Sequence, residues 1–368
     1  GGAWTDFNNG QAITIGAGKT GTYYLFVSTI TDYKGKVSTK NGTLVSIGGK
    51  SYHRFGPYRF DNTAPRIAID KSSTTVSKST NVTITMYDDQ GSVNSGIAST
   101  TGKYYLSSSS NSLTGGAETN YTSGSAFTIG AGKTGTYYLF VKTINDKAGN
   151  SSNGDLKIGS ENYHKYGPYI FDNAGPIVDA SVTSYTPSSG TANAWKSANI
   201  RVNLTDQGNA GVNNDATRSY FLSQNAQGSS KEESGYYNSG TEFTIGAGKT
   251  GTYYLFVKAI TDNLGNVSNT KGTVVTVAND GQYHRFGPYK IDNSPPTVSV
   301  SPSSLTDAKK STTVTITLTD VGPAGLASTT NQQYYLTTNA SPTTTDQLGS
   351  VAYYNSGSAF TIGGGKTG

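Results

Sequence analysis

The stretch Thr128-Ile-Gly-Ala-Gly-Lys-Thr-Gly-Thr-Tyr-Tyr-Leu-Phe-Val-Lys142 decides the fold. Its first half, Thr-Ile-Gly-(Ala/Gly)-Gly-Lys-Thr-Gly, occurs four times, starting at Thr14, Thr128, Thr244 and Thr361. The first glycines stand at 16, 130, 246 and 363, giving spacings of 114, 116 and 117 residues. A period of that length is a whole domain, because solenoid repeats run at roughly 20–50 residues. The second half, Gly135 to Lys142, is the strongest β run in the chain, rich in aromatic and β-branched residues. In this register the 368 residues form a tandem array of one domain type. Residues 1–60 are the C-terminal part of a repeat, 61–171 and 172–291 are whole repeats, and 292–368 is the N-terminal part of another. The fourth phrase ends at Gly368, just before the place of the strong strand, so the expectation is a reading frame that continues with Thr-Tyr-Tyr-Leu-like residues.

The other elements line up outward from that stretch. Val82, Ile84 and Met86 alternate with polar residues, as do Ile200, Val202 and Leu204, and Val314, Ile316 and Leu318. Period-two alternation marks a strand with one buried and one wet face. Each copy ends in an acidic turn at Asp88-Asp89, Asp206 or Asp320. Strands are expected at Arg66 to Asp70, around Lys103 to Leu106, at Ala126 to Ile129, and at Asn162 to Phe171. Pro168 has no amide proton, which places that last strand at a sheet edge or gives it a bulge. About seven short strands per repeat, separated by Gly/Asn/Asp turns and with no helical period, predict an all-β fold. The exit strand runs straight into the next repeat, so tandem Ig-like β-sandwiches in a linear rod are expected.

Composition narrows the function classes. Hydrophobic residues make up 33% and charged residues 14%, which with clustered apolar runs indicates a folded, turn-rich chain. There is no cysteine, so neither disulfides nor thiolate metal sites contribute. The net charge of +5 is scattered, without the basic stripe that nucleic-acid binding requires. No apolar stretch approaches the roughly 20 residues of a membrane helix. Gly-x-Gly-Lys-Thr resembles part of a nucleotide-binding P-loop, yet the required first glycine falls on Ile13, Phe127, Phe243 and Phe360. A strand, not a helix, follows, so no nucleotide site is expected. No Ser-His-Asp set or carboxylate pair stands out, and catalysis is not expected.

The motifs Gly-Thr-Tyr-Tyr-Leu-Phe-Val-Lys, Asp146-Lys-Ala-Gly-Asn150, the aromatic exit strand and the Asp-Asn-x-x-Pro junction resemble bacterial Ig-like repeat domains of large cell-surface and adhesin-type proteins. That resemblance covers essentially the whole chain and implies an extracellular, cell-surface or secreted stalk. A structural spacer follows from it, projecting other domains and contributing to adhesion, with the neighbouring repeats as its partners. The alternative is a glycan-binding or adhesive module that takes host or matrix glycan or protein through exposed Tyr faces or the Trp195 loop. Tyr is abundant, 26 residues against 12 Phe and 2 Trp, and the Tyr pairs put one ring on each face of a strand. Trp195 lies in an insertion found only in the third repeat, between Tyr185 and Ser197.

The junction pairs Asp61-Asn62, Asp172-Asn173 and Asp292-Asn293 are the candidate metal ligands. If the Asp88 and Asp146 turns meet them at a domain end, hard oxygen donors suited to Ca²⁺ collect there. The junction resembles the calcium linkers of cadherins in its Asp-Asn followed by Pro, without their neighbouring acidic motifs. The other reading is that these side chains cap their own turns. His53, His164 and His284 recur once per repeat, with packing rather than ligation expected. Lys142 and Lys258 are candidates for an intramolecular isopeptide bond, although Ser28 holds the same place in the first repeat.

Overall fold

A computed structural model describes residues 4–39, 41–186, 194–214 and 218–366. Residues 187–193, most of the Trp195 insertion, lie outside the described residues. The chain separates into two compact units, residues 1–173 with 208–210, and 174–207 with 211–368.

The first unit carries β1 (Gly21–Ser28), β2 (Thr43–Ile47), β3 (Lys50–Phe60), β4 (Arg66–Ile69), β5 (Thr80–Tyr87), β6 (Thr101–Ser107), β7 (Thr119–Thr122), β8 (Ala126–Ile129), β9 (Gly135–Lys142), β10 (Leu156–Ile158) and β11 (Glu161–Phe171). They form three sheets, ordered β1-β3-β2, β4-β5-β8 and β10-β11-β9-β6-β7. The last two make a sandwich. Val82, Ile84 and Met86 from the alternating strand face Leu106, Tyr121, Leu139, Val141, Tyr169 and Phe171 from the other sheet, all buried in one core. The buried face of β5 falls on every second residue, as the alternation requires.

The second unit carries β12 (Ile177–Thr186), β13 (Ser197–Thr205), β14 (Ser219–Ser223), β15 (Glu233–Tyr236), β16 (Glu242–Ile245), β17 (Gly251–Lys258), β18 (Asn269–Thr270), β19 (Thr273–Val277), β20 (Gly281–Ile291), β21 (Thr297–Ser301), β22 (Thr312–Thr319), β23 (Gln332–Tyr335), β24 (Val351–Tyr354) and β25 (Ala359–Ile362). Its five-stranded sheet, β15-β14-β17-β20-β19, repeats the β7-β6-β9-β11-β10 order of the first unit. Opposite it lies β16-β13-β12-β18, with β18 parallel to β12. Val178, Ile200, Val202, Leu222, Leu255, Val257 and Ile291 fill the space between. The remaining sheets are β21-β22-β25 and β23-β24. A single 3-10 turn, Thr345–Leu348, is the one helical element among the described residues. The molecule is an all-β chain of Ig-like β-sandwiches.

One strand is not legible in the sequence, and the edge-or-bulge expectation for the exit strand is met by the bulge. The polar loop before Ala126 contains a strand, β7, whose only buried residue is Tyr121. One inward ring in a Thr/Asn/Thr setting is too little alternation to recognise. The exit strand β11 is an inner strand of its sheet, between β10 and β9. Its proline is accommodated by the bulge: the β11–β9 register slips between Tyr166 and Tyr169, around Gly167 and Pro168. The same slip recurs in the β1–β3 and β17–β20 pairs.

Candidate functional site

The residue set at each junction divides its work between two directions. Asp61 follows the end of β3, and Asn62 turns its amide back towards the Gly-Lys-Thr hairpin. Asn62 Nδ2 donates to the carbonyl oxygens of Gly16 (3.3 Å) and Lys19, and its backbone amide donates to Thr20 Oγ1 (3.0 Å). Asn173 Nδ2 does the same to Gly130, Lys133 and Lys78, and Asn293 Nδ2 to Gly246, Lys249 and Lys196. These asparagines clamp the hairpin through their side-chain amide groups.

Asp61 points forward instead. Its Oδ2 accepts the Ser95 amide at 2.7 Å, while Oδ1 accepts the Thr63 amide and hydroxyl at 3.1 and 2.7 Å. Burial pushes the Asp61 carboxyl up, but the Thr63 and Ser95 hydrogen bonds outweigh it and hold the group below its ordinary range. Asp88, at the end of β5, accepts the Gly96 amide through Oδ2 at 2.5 Å, and its buried Oδ1 has no protein partner. Asp146, 2% exposed in the turn after β9, accepts the Asn150 amide and side chain, both at 2.7 Å. Asn150 Nδ2 also donates to the Asp61 carbonyl at 3.0 Å, tying that turn to the junction.

One carboxylate oxygen from each of Asp61, Asp88 and Asp146 comes within 4.8 Å of the others. Three ionised carboxylates at that spacing repel by about 3 kcal/mol per pair at an effective dielectric near 20. The donor set is all hard oxygen, the chemistry that Ca²⁺ selects. The same atoms also cap their turns, so capping and cation binding are not exclusive here. The sequence reading named Asp61 and anticipated the two turns. It could not place Asp88 and Asp146 beside Asp61, because that proximity depends on β5 and β9 ending at the same pole of the sandwich.

The forward-pointing aspartate recurs. Asp172, fully buried, accepts the Ala210 amide at 2.9 Å, and Asp292 accepts the Ala324 amide at 2.9 Å. A Cβ built on Gly208 or Gly322 would lie 1.9 Å from the corresponding carboxylate, so glycine is what lets these aspartates approach. Asp206 Oδ2 accepts the Gly211 amide at 2.6 Å, and Asp262 accepts those of Leu264 and Asn266, each at 2.8 Å.

Trp195 packs. Its ring stacks on Tyr185 at 3.8 Å between centroids, and its backbone bonds Lys290 and Asp292 at the end of β20. The tyrosine pairs also have internal occupants. The outer ring of each lies under a cation from the neighbouring exit strand: Arg54 over Tyr24, Lys165 over Tyr138 and Arg285 over Tyr254. Each histidine Nε2 meets a serine hydroxyl, Ser38, Ser152 or Ser268, at 2.7–3.0 Å. Lys142 pairs with Glu161 at 3.1 Å and Lys258 with Asp280 at 3.6 Å, partly exposed ion pairs rather than the buried Lys–Asn contact of an isopeptide.

No family model matches the chain, and no curated protein matches it. Among solved structures it is similar to the crystal structure of the N-terminal four Ig domains of Dscam1 isoform 6.44. The identity is 9%, the coverage 93% of this chain and 83% of that one, and the TM-score 0.18. The class of protein is set by the sheets themselves: Ig-like sandwiches in series, with no helix long and apolar enough to cross a membrane among the described residues.

Proposed function

We propose that the chain is a structural stalk or spacer segment of a bacterial cell-surface or secreted protein, extending outside the cell to project or space other domains and contributing to adhesion. The observation that carries this reading is the joint between repeats. At Asp61-Asn62 one side chain clamps the preceding hairpin at Gly16 and Lys19, and the other clamps the following loop at Ser95. Only a short connection, closed by Pro65, separates β3 from β4. The Asp292-Asn293 joint repeats the arrangement with Gly246, Lys249 and Ala324. Joints fixed from both sides resist bending, and that is the mechanical requirement of a spacer. The repeats 1–60, 61–171, 172–291 and 292–368 are its segments, each with its neighbours as partners. No catalytic role is assigned to it.

Within this reading Ca²⁺, held by Asp61, Asp88 and Asp146, further stiffens the joint by neutralising charges that otherwise repel. The equivalent junction residue Asp292 would serve the corresponding joint within the second unit. Asn62, Asn173 and Asn293 support the site from behind through the hairpin.

Small-angle scattering of the 368-residue polypeptide tests the spacer. A compact globule of this length has a radius of gyration of about 21 Å. A spacer gives a value well above that, and a value near it overturns the proposal. A glycan array with the same polypeptide tests the adhesive alternative. A specific signal removed by Trp195→Ala would put glycan binding in place of spacing.

A further inference from the structure

The two whole repeats differ at one place on the outer face of their five-stranded sheets. In the first unit β6 and β7 bring Lys103 opposite Asn120, and Glu118 precedes β7. Glu118 accepts from Lys103 Nζ and, at 2.5 Å, from the Tyr105 hydroxyl, so a side-chain bridge lies over the sheet. In the second unit β14 and β15 pair in the same register, and Ser219 stands opposite Tyr236. Ser219 takes the place of Lys103, Ser234 that of Glu118 and Phe221 that of Tyr105, so the bridge has no counterpart. In its stead lies an open cleft of about 190 Å³, lined by Ser219, Phe221, Lys231, Ser234, Tyr236 and Tyr283.

We propose that this cleft binds one acidic pyranose unit of a polysaccharide, a sugar ring that carries a carboxylate. The Tyr236 ring is 79% exposed, the one exposed aromatic side chain among the described residues of 61–291. A lone exposed ring is ordinary on a protein surface. Bordering a cleft with polar walls, it is a platform for a sugar, whose C–H groups meet the negative face of the π system. Tyrosine has two side-chain torsions, so little entropy is lost when a ligand pins it. The Ser219 and Ser234 hydroxyls line the same cleft, each able to donate to and accept from sugar hydroxyls.

Charge selects the kind of sugar. Lys231 and Lys258 share one carboxylate, Asp280, the second pair at 3.6 Å. Within this trio one positive charge is left over, and an ammonium bonded once still has donors to offer. A ligand carboxylate answers both. The site is also built in advance. The Tyr283 hydroxyl donates to Asp280 at 2.7 Å and holds that carboxylate in place. Phe221 and Tyr283 are buried, and with Phe256 and Val277 they form an apolar cluster separate from the inner core. Binding therefore has little of the protein to order. At about 190 Å³ the cleft is smaller than the roughly 300–1,000 Å³ of a drug-sized pocket, so it seats a single ring of a longer chain. The contact is additional to the spacer role and independent of the Trp195 loop.

A glycan array of uronate-bearing, sialate-bearing and neutral oligosaccharides, probed with the 368-residue polypeptide, tests the proposal. Signal is expected on carboxylate-bearing oligosaccharides and not on their neutral counterparts. With the strongest of them, titration calorimetry should show affinity falling about tenfold or more in Tyr236→Ala. Ser219→Lys combined with Ser234→Glu should rebuild the bridge of the other repeat and abolish binding, whereas Trp195→Ala leaves it unchanged. Far-ultraviolet circular dichroism and thermal unfolding check that each variant keeps the fold. Absence of a carboxylate-dependent signal overturns the proposal, as does a signal that survives both Tyr236→Ala and the double exchange. A signal lost only in Trp195→Ala overturns it too, and scattering reads the spacer separately from all of these.

Discussion

His284 is fully buried at the foot of the Asp262 turn, with Nε2 2.7 Å from Ser268 Oγ and no partner at Nδ1. Ser268 Oγ accepts the Ile260 amide at 3.0 Å, and which atom donates in its contact with Nε2 depends on the imidazole tautomer. Burial pushes this imidazole down from 6.5 to about 4. A group with a depressed folded pKa takes up protons first in the unfolded chain. Stability is therefore complete above pH 6.5 and declines as pH falls towards 4. The loss expected between pH 7 and 4.5 is roughly 2 kcal/mol. Denaturant unfolding across that range, compared with His284→Gln, measures it. The variant should lack this part of the acid sensitivity, and parallel pH profiles would remove the histidine from the account. The recurrence of one histidine per repeat was plain in the sequence. Its serine partner was not, since Ser268 and His284 lie sixteen positions apart and meet only across the sheet.

At the scale of elements, the repeated phrase distinguishes two kinds of glycine. Gly130 has a φ of +83°, and a Cβ there would lie 2.3 Å from the Phe171 ring. Gly132 has a φ of +70°, and nothing lies within 4 Å of its Cβ position. Gly132→Ala meets only the left-handed backbone penalty, about 1–2 kcal/mol. Gly130→Ala adds displacement of a fully buried ring, so it should cost about 2 kcal/mol more, within the range of core overpacking. Thermal unfolding of the two variants tests the order, and equal losses would show that the ring moves freely. The phrase is thus a hairpin whose first glycine seats the last side chain of the exit strand, Phe60, Phe171 or Ile291. Strong strands such as β5 and β9 were legible because alternation and β-branched or aromatic content coincide in them. β7 and β10 were not, being short, polar and defined by their neighbours rather than by their own pattern. Asp61 was legible as a junction residue, but its partners Asp88 and Asp146 came from loops that only the closed sandwich brings together.

At the scale of the molecule, the acid cluster joins residues of two successive repeats. Asp61 belongs to the end of one exit strand, whereas Asp88 and Asp146 belong to the loops of the repeat that follows. Any cation shared by them would bind the joint when closed and lose ligands when it bends. Binding to the closed state then stabilises it by mass action, about 2.7 kcal/mol at a ligand concentration one hundred times the dissociation constant. The expectation is a higher melting temperature in millimolar calcium than in chelator, and a larger scattering radius if the joints stiffen. Asp88→Asn removes one charge whose Oδ1 has no protein partner, so it should abolish most of the calcium response at the first joint while costing little in chelator. Relief of carboxylate repulsion even works in the variant's favour there. Identical melts with calcium and chelator would leave these aspartates as turn caps alone. The spacer would then rest on the asparagine and aspartate clamps without a metal.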